Sequence, residues 1–241
     1  MAIGPDRRTM TPAQARAAEI DVGLREYMLR VYNYMALGVA FTGAIAMVVA
    51  TNAALVQTVA SIFWVLFIAI LGLGWVAPRI MMSKSIMAAQ ACFWVYAALW
   101  GAVIGPTLWV YGQIDPILVP KAFFITAGAF AGMSLFGYTT KKNLAPIGAF
   151  LAMATFGILI ALLVNVFFVQ SVGFDLVLSI IVVLVFSGLT AYETQMIKNM
   201  YYEADGQEVA TRKAIFGAFL LYGSFVTLFV WILHLLGVMR D

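Results

Sequence analysis

Residues 145–169 run for twenty-five positions without a charged side chain. As an α-helix such a run rises about 37 Å at 1.5 Å per residue. That exceeds the ~30 Å hydrocarbon thickness of a bilayer. Six more mostly apolar stretches can be cut, at 34–54, 59–77, 85–105, 121–139, 174–198 and 214–239. Their length points to helices, because the strands of a membrane barrel alternate over about ten residues. The expected fold class is an all-α membrane protein, a compact bundle of seven transmembrane helices. Composition agrees. The chain is 64% hydrophobic and 10% charged, against roughly half and a quarter in soluble domains, so one soluble core cannot bury the excess.

Prolines punctuate the runs. Pro78 with Arg79 is expected to stop the second span, and Pro106 the third; Pro120 precedes the fourth, and Pro146 sits in the first turn of the fifth. The connections are short, which leaves one domain, 27–241, behind an N-terminal tail, 1–26. Residues 1–21 carry Arg7, Arg8, Arg16 and three acids, and no apolar run follows within the usual distance, so they read as a solvated tail and not as a signal peptide.

Orientation follows from Lys and Arg, which accumulate on the cytoplasmic side. With a cytoplasmic N-terminus, the N-terminal segment through Arg30 and the loops after spans two, four and six hold twelve of the fourteen. Lys121 and Arg240 are the exceptions. Seven spans then leave the C-terminus outside the cytoplasm. The expected localisation is multi-pass, in a bacterial inner membrane.

Several function classes drop out. No basic patch interleaved with aromatics points to nucleic acid. The single cysteine, Cys92, lies in an apolar stretch and reads as packing. The sequence has no H-E-x-x-H, no Cys/His cluster and no Gly-rich phosphate loop, so no enzyme and no cofactor are expected. A retinal protein needs a lysine midway along its last helix, and that span has only Lys213 ahead of it. An intramembrane serine protease would need Ser187 and His234 together, yet Ser187 falls toward the cytoplasmic half of the membrane and His234 toward its outer side. Inverted repeats of a transporter are not evident.

Polar residues inside the spans are few. Glu193 is the deepest acid, about two turns from the end of its helix. An ionised group at the bilayer centre costs roughly 2.5–3.5 kcal/mol on insertion scales, and such residues face a cavity or a partner. The choice is open between a polar cavity and pairing with Lys198, Arg212 or Lys213. Thr190 sits three residues earlier on the same face. In the last span Gly217, Ser224, Thr227 and His234 follow helical spacing. His234, near the outer end, is expected to be satisfied by interfacial water. Asn165 and Gln90 read as bonds between helices. Gly101-x3-Gly105 and Gly128-x3-Gly132 read as sites of close backbone approach.

The stretch FSGLTAYETQMIK (186–198) and the last span, GAFLLYGSFVTLFVWILHLLG (217–237), resemble the sixth and seventh helices of the Bax inhibitor family. The resemblance extends over about 25–237. It implies a membrane protein that leaks cations, notably Ca²⁺, in a pH-sensitive way. The gate it implies is two facing acids latched by an arginine. The first acid matches Glu193, which is then also the candidate contact for a metal ion. The second falls on Ser224, a departure from the family, and Arg79 is the candidate latch. With Thr190 and Thr227 these residues make the expected gating site, with Ca²⁺ only as a permeant ion. A hydroxyl and one carboxylate cannot share a proton as two carboxylates do, so a single-site pH response, or little response, is expected. The alternative is a non-conducting modulator with a membrane-protein partner, such as a protease or a cell-death factor. In either case the lipid bilayer is the surrounding medium.

Overall fold

The computed structural model describes residues 12–239, with side chains from Val22 onward. The tail expected over 1–26 falls outside the described residues as far as position 11. Beyond it come α1 (Pro12–Ala50), α2 (Ala53–Ser61), α3 (Phe63–Ser83), α4 (Ile86–Ile114), α5 (Leu118–Thr139), α6 (Ala145–Val164), α7 (Val172–Asn199) and α8 (Gln207–Val238). A π-turn, Asn165–Val169, extends α6. No strand occurs among the described residues. Seven of the described helices are long and apolar enough to span a membrane, all but α2.

Helix ends carry their own chemistry. The Asn52 side chain accepts from the Ala54 and Leu55 amides at the start of α2. Ser85 and Ser171 do the same for α4 and α7. These caps satisfy amides that a helix start leaves without partners. The expected ends move in several places. α2 forms a separate short helix, so the second span begins at Phe63. Pro78 and Pro106 do not stop their spans: α3 runs on to Ser83 and α4 to Ile114. A membrane helix tolerates proline because packing and neighbouring hydroxyls absorb the lost bond. The first span also starts earlier, at Val22.

α8 is the axis of the bundle. Its apolar window is 61% buried, against at most 28% in any other span. Tyr222, Leu221, Leu228 and Leu233 are wholly enclosed, and α1, α3, α4, α5 and α7 surround it. α6 lies outermost and packs chiefly on α7. Large apolar side chains such as Trp75, Met87 and Phe168 stand exposed on the periphery, as expected where lipid is the solvent.

Glycines set the closest approaches. A Cβ on Gly101 would come 2.8 Å from the Thr42 carbonyl oxygen, and one on Gly105 2.5 Å from Val49, so both let α4 press onto α1. The second expected pair does not act this way, since Gly128 and Gly132 have nothing within 4 Å. Gly137 takes that part on α5, against the Ala191 backbone of α7. Buried hydroxyls cross-link the same helices. Thr42 bonds the Ala97 carbonyl (2.9 Å) and the Tyr222 hydroxyl (2.6 Å). Tyr32, Ser134 and Thr194 form a chain through α1, α5 and α7. Cys92 is buried and unbridged, as its apolar setting implies.

Candidate functional site

Glu193 lies six residues before the end of α7, on the face turned to α8. Ser224, buried midway along α8, donates its hydroxyl to Glu193 Oε2 at 2.7 Å. A hydrogen bond to a carboxylate is roughly twice as strong as a neutral one. Glu193 is partly exposed, and it lines a cavity of about 400 Å³ shared by α3, α4, α6, α7 and α8. Ser224, Thr227, Thr155 and Tyr96 bring hydroxyl-bearing side chains to this wall; Phe186, Phe219 and Trp231 make much of the rest apolar.

The basic residues that might have drawn Glu193 outward bond elsewhere. Lys198 donates to the Tyr138 carbonyl (2.8 Å). Lys213 pairs with Asp205 (2.5 Å) and the Met200 carbonyl. Arg212 donates to the Met82 and Lys84 carbonyls. Each of these bonds ties down a loop or helix end on the face where the basic loops gather. Among the described residues no ion pair includes Glu193.

Two expected members of the site stand apart from it. Arg79 is exposed on α3 and does not reach Glu193; the carboxylate turns inward to α8, where a hydroxyl is the nearer donor. Thr190 is fully buried and donates to the Phe186 carbonyl of its own helix. It is absent from the cavity wall. Gly217, at the foot of the expected polar stripe, is closed off by Ile197. No group of three His, Cys, Asp or Glu side chains capable of holding a metal occurs among the described residues.

A second polar cluster lies toward the opposite end of the bundle. His234 Nε2 donates to Asp175 Oδ2 at 2.7 Å, and Tyr111 Oη lies 3.1 Å from His234 Nδ1. The carboxylate can only accept, which places a proton on Nε2. His234 is thus held by side chains of α7 and α4 and not by interfacial water alone. Sequence spacing missed this cluster because its members come from three helices. Asn165 also differs from expectation. It closes the α6–α7 turn by accepting from the Ser171 amide (3.2 Å), next to Gln170 in the left-handed region at φ 48°. Gln90 does bond between helices, to the Tyr34 hydroxyl at 3.3 Å.

Comparison with known proteins adds the family. The model described as Inhibitor of apoptosis-promoting Bax1 matches residues 24–241. The chain belongs to the Bax inhibitor-like family. Its relatives include an uncharacterized protein of Rickettsia prowazekii, 38% identical over 92% of this chain and 93% of that one. An uncharacterized protein of Caulobacter vibrioides is 36% identical over 95% of each. The inner membrane protein YbhL of Escherichia coli is 36% identical over 90% of this chain and 94% of its own. This Bax inhibitor-like chain is therefore a multi-pass integral membrane protein that sits in a lipid bilayer.

Proposed function

We propose that the protein is a cation leak pathway, with Ca²⁺ as the permeant ion, controlled where Glu193 meets Ser224. The observation that carries this is the 2.7 Å bond between them at the wall of a cavity formed between α3, α4, α6, α7 and α8. The ionised carboxylate holds α7 to α8 through a charge-assisted bond. Protonation removes the charge, weakens that bond and loosens the two helices, so flux rises as pH falls. Thr227, on the same wall, offers the next oxygen to a passing ion. One carboxylate gives one titration step. The basic end faces the cytoplasm, a reading that the placement of twelve of fourteen Lys and Arg supports, and the membrane is a bacterial inner membrane, as the name of the Escherichia coli relative supports. The protein acts as a path for ions and not as an enzyme.

The test is Ca²⁺ flux into liposomes against pH, for the parent and Glu193→Gln. Glu193→Gln should flatten the pH response. Identical flux from both at every pH removes Glu193 from the mechanism. Ser224, standing where the family implies an acid, favours a second reading, a non-conducting modulator of another membrane protein. Purified protein separates the two, since a leak conducts alone and a modulator does not.

A further inference from the structure

The Glu193 cavity and the Asp175–His234 cluster belong to two separate hollows, of about 400 and 510 Å³. Both hollows are walled by the same two side chains, Leu162 of α6 and Trp231 of α8. The helices on either side are in phase along this line. On α8, Ser224, Thr227, Trp231 and His234 fall at i, i+3, i+7 and i+10, one stripe of an α-helix. On α7, Asp175, Val182, Phe186 and Glu193 fall at i, i+7, i+11 and i+18, again one stripe. Each stripe is polar toward its ends and apolar between. Asp175 and Glu193 are five turns apart, roughly 27 Å, close to the ~30 Å of the hydrocarbon layer. His234 steadies the indole of Trp231, edge to face, with ring centres 5.8 Å apart at 82°.

We propose that Trp231, backed by Leu162, is the constriction of the ion path, a dry septum between an inner hollow at Glu193 and an outer one at Asp175 and His234. An apolar constriction blocks ions because it cannot replace their water, and narrow apolar pores gate by dewetting. Trp231 sets the height of the barrier, while Glu193 and Ser224 set how firmly the helices beside it close. The septum rests on the leak reading.

The experiment measures Ca²⁺ influx into liposomes of phosphatidylethanolamine and phosphatidylglycerol, loaded with a Ca²⁺-sensitive dye. It compares the parent with Trp231→Ala, Trp231→Phe, Leu162→Ala, Glu193→Gln and Trp75→Ala, a lipid-facing control. Trp231→Ala should raise influx roughly tenfold, the effect of a barrier lowered by little more than 1 kcal/mol. Trp231→Phe should stay near the parent, Leu162→Ala should rise, and Trp75→Ala should not change. If Trp231→Ala elutes as aggregate, Leu162→Ala carries the test alone. Flux that responds to Glu193→Gln but not to Trp231→Ala or Leu162→Ala overturns the septum and leaves the leak standing. Monodisperse protein with no flux in any variant overturns the leak, and the septum with it.

Discussion

At the scale of single residues, the sequence made Glu193 conspicuous, because a lone carboxylate among apolar side chains needs a partner. The family resemblance implied that Ser224 stands opposite, and the structure brings the two into hydrogen-bond contact. Thr190 and Arg79 were less legible. Three residues' separation leaves a side chain tens of degrees away around the helix, enough to turn Thr190 from the cavity wall. Arg79 depends on how α3 is rotated, which no local pattern records. Ser224→Ala should strand the Glu193 carboxylate without its donor and cost about 1–3 kcal/mol of stability, read as earlier thermal unfolding in detergent. Ser224→Asp should restore a pair of facing carboxylates. Under the proposed leak its flux should then follow pH in two steps and the parent's in one, because interacting acids titrate as a pair.

At the scale of helices, the glycines divide by what they touch and not by their spacing. Gly101 and Gly128 open identical G-x3-G patterns, yet only the first pair meets a neighbouring helix. Gly137→Ala would push a methyl group into the Ala191 backbone and should destabilise the bundle by about 1–3 kcal/mol. Gly128→Ala adds helix propensity in open space and should be neutral or stabilising by up to about 1 kcal/mol. Melting of the two variants in the same detergent compares them directly; equal destabilisation would contradict the assigned contacts. The prolines teach the same lesson. Pro78 and Pro106 look like stops in a sequence judged by the rules of water-soluble helices. In a packed membrane bundle α3 and α4 continue through them. His234→Ala should loosen α4, α7 and α8 at their shared end, at a cost of about 1–3 kcal/mol for the bonds left unmade.

At the scale of the whole molecule, the placement of Lys and Arg predicts topology. Alkaline phosphatase, which folds only outside the cytoplasm, should be active when fused after Asp241 and inactive when fused in the loop at 141–143. The reverse pattern would invert the bundle and the sense of the proposed leak. By itself the sequence determined the number of spans, the family resemblance and the helix pair that carries the site. The spans follow from length and hydropathy, which the bilayer enforces on each segment separately, and the helix pair follows from the resemblance carried by residues 186–198 and 217–237. The tertiary structure alone decided that α8 is the axis, that Tyr111, Asp175 and His234 converge, and that Leu162 and Trp231 stand between two hollows. Those outcomes depend on the rotation of each helix about its own axis. Rotation is fixed by close packing against several neighbours at once, and no single segment carries that information.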